Sequence, residues 1–399
     1  MILKPIDQIT KADIDELVQE GIPEGREIEY KSATPQNSPD SQKVDSKFEF
    51  AKDVAAFANG AGGYILYGID EEKGIPVACP GLPGIDPDKE IARLEQILRT
   101  NLDPRLPSSG YRIQAIPGFP PESPAIIVKI EKSWMGPHMV GPKEKSRFYI
   151  RSSNGNQQMD AIEIRNAFLA TDSQAERIKR FREDRLAKIL ADETPVKLSS
   201  PYRIVLHLIP LGNFLNRERI DLSDAQLMQT GFYPIDFGGS TLRHNLDGFM
   251  NYDAGSGTGY CQVFHDGTVE AVNAELIGIH GQRPSPFIPS GACEREIIEA
   301  CKKYISSHKT LGVAPPIAIM LSLVGCKGVE MLLPQARQWR GNPTGPIDRD
   351  VAAMPELTIE NLDEELPRAL KPIFDSLWQA CGWPSSLNYD KQGNWNPMR

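Results

Sequence analysis

The stretch KDVAAFANGAGGYILYGID, from Lys52 to Asp70, carries the pattern from which the first half of the chain is best read. Extended back to Ser46, its apolar residues Phe48, Ala51, Ala55 and Ala58 recur at helical spacing, and Phe50, Val54 and Phe57 widen the stripe. Ser46 stands as an N-cap, with Glu49 in the reciprocal capping position. Asn59-Gly-Ala-Gly-Gly63 stops the helix. Tyr64 to Ile69 is then a buried strand, closed by Asp70, Glu71 and Glu72. A phosphate cradle needs the opposite order, with glycines between a strand and the helix after it. No Gly-Lys-Ser/Thr occurs either. The glycines therefore read as a tight connection with left-handed backbone.

On the N-terminal side, the segment Glu24 to Lys31 (EGREIEYK) alternates from Arg26 onward. A period of two puts Ile28 and Tyr30 on one strand face, and Glu27, Glu29 and Lys31 on the other. Ala33 to Lys43 is rich in Pro, Ser and Gln and reads as a loop. Helices are predicted over Lys11–Gln19 and from Asp86-Pro87 to before Pro104. Strands are predicted over Arg112–Ile116, Ala125–Glu131 and Phe148–Arg151, with a helix starting near Asp160. The second half shows a strand at Tyr202–Pro210 and a hairpin turning at Asp266-Gly267. A helix over Cys293–His308, a strand over Pro316–Val324 and a helix over Leu366–Gly382 broken at Pro372 complete it. The pattern predicts an α/β or α+β first domain, a small mixed sheet packed with helices, over residues 1–170. A basic helix and linker come next at 171–200, then a second α+β domain at 201–399, read as a sensing or interaction module.

The 399 residues are 40% apolar and 24% charged, which excludes a fully disordered chain. The longest apolar run, Ile317 to Gly325, is far short of the roughly 20 residues a bilayer span needs. The N-terminus turns acidic at once and lacks the apolar core of a signal peptide. Six scattered cysteines with no Cys-x-x-Cys pair argue against a zinc ribbon and for a reducing cytoplasm. The net charge is −9, yet residues 129–188 carry +5 between flanks of −8 and −6. Taken alone, such a band reads first as a solvated helix face and only second as a phosphate-facing patch.

Three carboxylates, Glu24, Glu29 and Asp70, lie on or beside two strands joined by a helix. Strands about 4.8 Å apart let such groups converge if the strands pair. Converged carboxylates suit Mg²⁺ or Mn²⁺, and Lys31 shares Glu29's face. Two carboxylates and a lysine are what metal-dependent phosphodiester cleavage needs. Spacing alone favours ordinary solvent-facing acids in an acid-rich segment, because Glu-x-Lys triplets are common by chance.

Three parts in order, Glu24–Lys31, the helix ending Phe57-Ala-Asn59, and the Gly-Gly strand ending Gly68-Ile-Asp70, resemble the AlbA-like domain of the Schlafen family. Trp134-Met-Gly-Pro-His138 and Phe148-Tyr-Ile-Arg151 look like the subsequent segments of bacterial members. The resemblance covers roughly the first 170 residues and implies nucleic-acid binding. In the family's nucleases it implies metal-dependent cleavage of tRNA or rRNA by three carboxylates. Carried over by position, these are Glu24, Glu29 and Asp70, with Glu71 or Glu72 as alternatives to the last and Lys31 stabilising charge. The chain departs from the animal nucleases, which carry two lobes and a zinc site. A homodimer could rebuild a two-lobed groove. A role in bacterial defence or stress is implied by the same resemblance.

The nucleic-acid contacts would come from the basic band: Trp134, Lys143, Lys145, Arg147, Arg151, Arg177, Lys179 and Arg180. An aromatic beside cations suits single-stranded RNA or DNA, although Trp134 reads equally as packing. The helix cations pair equally well with Glu176, Glu183 and Asp184. His138, beside a proline, reads as structural. His207, Arg243, His244, Asp247, His265 and His280 fit no metal motif. Two functions are expected: a Mg²⁺- or Mn²⁺-dependent ribonuclease, and a non-catalytic nucleic-acid-binding regulator of the same fold. RNA is favoured over DNA.

Overall fold

The computed structural model describes residues 4, 6–35, 46–107, 110–119, 123–141, 146–153, 155–216, 219–236, 241–278, 285–333 and 345–397, without the side chains of 172–174 and 225. The chain divides into two compact units, 1–176 and 177–399. Both are α+β.

In the first unit, α1 (Lys11–Gln19) is followed by β1 (Ile28–Lys31), α2 (Ser46–Asn59) and β2 (Gly63–Tyr67). A small hairpin, β3 (Asp70–Glu72) with β4 (Ile75–Ala78), leads to α3 (Pro87–Asn101) and the short β5 (Leu102–Asp103). Then come β6 (Tyr111–Phe119), β7 (Ser123–Ile130), β8 (Met139–Val140), β9 (Arg147–Ser152) and β10 (Gly155–Gln158). The main sheet runs β1-β2-β7-β6, with β1 parallel to β2 and the other pairs antiparallel. A second sheet runs β10-β9-β8-β5.

The alternation of the strands divides two apolar layers. Ile65, Tyr67, Ile126 and Val128 face Phe50, Val54 and Phe57 of α2 and Leu94 and Leu98 of α3. Leu66, Ile127 and Tyr30 face Ile14 and Leu17 of α1. The second sheet covers the far side of α2, where Tyr149 meets Phe48 edge-on. The helix starts are those the side chains specify. Asp13 accepts from the Thr10 backbone N–H at 2.8 Å, and Asp86 caps α3 by accepting from Lys89 N–H ahead of Pro87.

A single helix, α4 (Ala161–Leu190), ends the first unit and begins the second. The second unit then holds β11 (Arg203–Pro210), α5 (Leu211–Asn216), α6 (Ala225–Gly231), β12 (Thr241–Asn245), β13 (Gly248–Tyr252), β14 (Gly259–Phe264) and β15 (Val269–Asn273). After these come β16 (Phe287–Pro289), α7 (Ser290–Thr310), β17 (Ile317–Val324), β18 (Glu330–Leu332), β19 (Val351–Ala353), β20 (Leu357–Ile359), α8 (Leu366–Ala369) and α9 (Lys371–Ala380). The large antiparallel sheet runs β12-β13-β14-β15-β11-β17-β19, with β20 also on β17. One face packs on α7 and α9 through Leu206, Leu208, Ile297, Tyr304 and Phe374. The other takes Leu186 and Ile189 of α4 against Val205, Val272 and Val324.

Candidate functional site

The site grows from strand β1. Tyr30 is buried toward α1 and donates its hydroxyl to the Ile22 carbonyl at 2.9 Å. The period of two then sends Glu29 and Lys31 to the α2 side. Parallel pairing of β1 with β2 sets Glu29 opposite Ile65 and Lys31 opposite Tyr67. The Gly62-Gly63 turn allows this approach, since Gly63 sits against the Phe57 ring and the Glu27 carbonyl.

Four charged side chains and one amide close a ring on this face. Glu29 accepts from Lys31 through one carboxylate oxygen and from Arg151 through the other. The Lys31 ammonium lies 3.9 Å from Asp53 of α2. Asp53 accepts from the Asn156 amide, and the Asn156 oxygen accepts from Arg151 at 3.3 Å. Arg151 also donates to the Gly25 carbonyl at 2.8 Å and the Ile28 carbonyl at 3.3 Å, and stacks 4.9 Å from the centre of the Phe57 ring. The ring thus ties β1, α2, β9 and β10 together. Burial pushes the Asp53 carboxyl up to about 6 against the pull of Lys31. Burial also works against the Lys31 charge, but Asp53 and Glu29 outweigh it and raise its pKa. Glu24 is raised by burial, and Glu29's negative charge adds to this, opposed by its bond from Tyr30 N–H at 2.8 Å.

The structure brings Glu24, Glu29 and Lys31 to one place. Asp70 takes no part in the ring: it is exposed on β3, beside the exposed Glu71 and Glu72. Of the expected nucleic-acid contacts, Arg147 is exposed at the start of β9, and Trp134 is half-buried with its indole N–H unpaired among the described residues. Arg151 is buried, and its guanidinium is committed to Glu29 and two backbone carbonyls rather than presented to phosphate. In the second unit, Arg177 donates to the Leu215 and Phe214 carbonyls, Lys179 is exposed 3.9 Å from Glu183, and Arg180 is exposed. Lys143 and Lys145 lie outside the described residues, as does His280.

His138 is fully buried, with its ring nitrogens on the Pro104 carbonyl and the Ser133 hydroxyl, and burial lowers its pKa. Asn59 clamps that segment: it accepts from His138 N–H at 2.7 Å and donates to the His138 and Tyr149 carbonyls. Sequence reasoning missed Asp53 and Asn156. Asp53 carried a signal, because it falls between Phe50 and Phe57 at helical spacing, where a carboxylate must be buried and compensated. Asn156, on an unremarkable strand, carried none.

Mg²⁺ or Mn²⁺ needs at least one or two carboxylates whose oxygens are free to coordinate, beside waters and substrate phosphates. Both Glu29 oxygens hold cations, and Asp70 is exposed and shares no ion pair with the ring. Among the described residues no group of three or more His, Cys, Asp or Glu is placed to hold a metal ion. The side chains as arranged do not fit Mg²⁺ or Mn²⁺.

In the second unit the buried polar groups form two self-contained clusters. Glu270 accepts from Arg185 at 2.6 and 2.7 Å, from the Tyr260 hydroxyl at 2.8 Å, and lies 3.0 Å from His207. Glu294 accepts from the Trp378 and Trp395 indoles and the Ser386 hydroxyl. Arg243, His244 and Asp247 are exposed on the β12–β13 hairpin.

A parallel edge strand bearing Glu29 and Lys31, under a helix that ends at Asn59 and turns through a glycine doublet, frames this α+β domain. Residues 24–160 match the family model described as Schlafen, AlbA_2, in the part of the chain where the sequence resembles that domain. A crystal structure of the DIP2311 protein from Corynebacterium diphtheriae is similar at 17% identity and a TM-score of 0.25, over 37% of this chain and 26% of that one. The likeness therefore spans about a quarter of that protein's length. No curated protein matches the chain. Among the described residues no helix is long and apolar enough to cross a membrane.

Proposed function

We propose that this chain is a nucleic-acid-binding protein whose first unit holds RNA in preference to DNA, and whose second unit regulates that binding. The observation that carries the reading is the match of residues 24–160 to the Schlafen, AlbA_2 family. The exposed Arg147, the partly exposed Lys31 and the net positive stretch 129–188 support it as groups able to meet phosphate. A reducing cytoplasm and a homodimer are part of the same proposal. The finer reading, a metal-dependent endoribonuclease using Glu24, Glu29, Asp70 and Lys31, is favoured by the nearness of Glu24 to Glu29 and to Glu71, the alternative to Asp70. The donor set as arranged, with both Glu29 oxygens on cations, does not fit a metal ion.

Fluorescence anisotropy on the full chain tests this, with labelled total tRNA, single-stranded RNA and single-stranded DNA, across a salt series in EDTA or Mn²⁺. Affinity is expected to fall with salt at a log–log slope of about −0.7 per phosphate contact on single strands. Lys31→Ala and Arg147→Ala should each flatten that slope by about 0.7 on single strands, one phosphate contact apiece. No salt-sensitive binding to any of the three would sink the proposal. Cutting that needs Mn²⁺ and vanishes in Asp70→Asn would establish the nuclease reading instead.

A further inference from the structure

Arg151 is the most deeply buried cation of the site, its side chain 4% exposed. A guanidinium held out of water needs a counter-charge in contact. Glu29 supplies it, and Glu29 reaches Lys31 with its other oxygen. Lys31 in turn faces Asp53, whose second oxygen is held by Asn156. Two cations and two anions leave the ring with no net charge.

We infer that Glu29, Lys31, Asp53 and Arg151 form a self-neutralised ion ring that occupies the place of a divalent metal, so that nucleic acid is met here by the Lys31 ammonium without a metal ion. Only the last clause rests on the nucleic-acid reading. A divalent cation entering the site would have to take Glu29 from Arg151 or from Lys31. Taking it from Arg151 would strand a buried charge, which is the costly outcome. Burial already biases Asp53 toward its protonated form, so the ring has no surplus of negative charge to offer. Lys31 is the member with an outward path, its side chain 38% exposed.

The test is a double-mutant cycle on the full chain, read by thermal unfolding in EDTA and in millimolar Mn²⁺. Glu29→Gln and Arg151→Met should each lower the melting temperature of the first unit by about 6–20 °C. The double variant should lose much less than the sum, because both halves of the pair leave together. Mn²⁺ should shift neither wild type nor variants. Two results would overturn the inference: Mn²⁺ stabilisation of wild type that Glu29→Gln abolishes, or single losses that simply add. If a single variant fails to fold, Mn²⁺ titration of the wild-type chain by calorimetry decides alone, since saturable heat refutes the ring. These arms read the ring whether or not any nucleic acid binds. A protein that binds no nucleic acid yet shows the coupling loses the proposed function and keeps the ring.

Discussion

A methyl group on Gly63 would lie 2.5 Å from two carbons of the Phe57 ring and 2.7 Å from the Glu27 carbonyl oxygen. The backbone there is at φ +155° and at +82° in Gly62. Conformation and crowding therefore both demand glycine, at the point where β2 is delivered to β1. Gly63→Ala is expected to cost about 3 kcal/mol or more, by overpacking a core that cannot recede. Urea unfolding would measure it, and a loss under about 1 kcal/mol would mean that Phe57 moves aside. The doublet was legible in the sequence as a turn. Its second reason, the ring of Phe57 beneath it, was not, because nothing local says which side chain a backbone will approach. Glu29 shows the same limit. Its face is set by the period of two, but its partner Arg151 stands 122 positions along the chain and only the fold brings it near.

At the level of elements, α4 is the clearest departure from pattern reading. Its arginines read either as phosphate contacts or as partners of acids on the same helix. Arg182 instead donates to the Leu321 and Met354 carbonyls and the Ser322 hydroxyl, while Arg185 holds Glu270. They share a helix face with Leu186 and Ile189, so the polar side chains belong to the face that packs on the second unit's sheet. Helical spacing placed them on one side without saying that the side was covered. The same unit carries an acid sensitivity in β15 and α7. Burial raises Glu270, but its bonds from Arg185 and His207 outweigh this and bring it down to about 2. Burial holds His308 down to about 4, with the Gly267 carbonyl opposing. Both groups are lowered from ordinary values of 4.5 and 6.5. Their contributions to stability are therefore complete above those values and are lost as pH falls through the lowered ones. The stability of the second unit should begin to fall below about pH 6.5, and His308→Gln should remove the part lost between about 6.5 and 4. Urea unfolding at stepped pH, followed by Trp378, Trp383 and Trp395, would show it. An unchanged pH profile in the variant would refute the assignment.

For the molecule as a whole, the distribution of thiols offers a direct check. All six cysteines are free; Cys261, Cys293, Cys301, Cys326 and Cys381 are buried, and Cys79 is partly exposed. Burial raises Cys79 and Cys326 to about 11 and Cys301 and Cys381 to about 12, so thiolate is scarce at neutral pH. A disulfide reagent should label the native chain slowly, and at Cys79 first, then label all six thiols in guanidinium. Rapid native labelling of a second-unit cysteine would contradict the packing of α7 and α9.

Features that depend on neighbours along the chain were already written in the order of residues. These are the helix under the second sheet, the glycine turn into β2, the face shared by Glu29 and Lys31, the hairpin at Asp266-Gly267 and the restart of the last helix near Pro372. The likeness to the Schlafen AlbA-like domain came from the same stretches, which the match over 24–160 covers. The charge balance of the site was settled only when the chain folded. Asp53 and Asn156 entered it, Arg151 turned inward, and Asp70 stayed out. Periodicity encodes which way a side chain leaves its own strand or helix. Whether a buried charge is compensated, and by what, depends on segments more than a hundred residues apart meeting in one low-dielectric place.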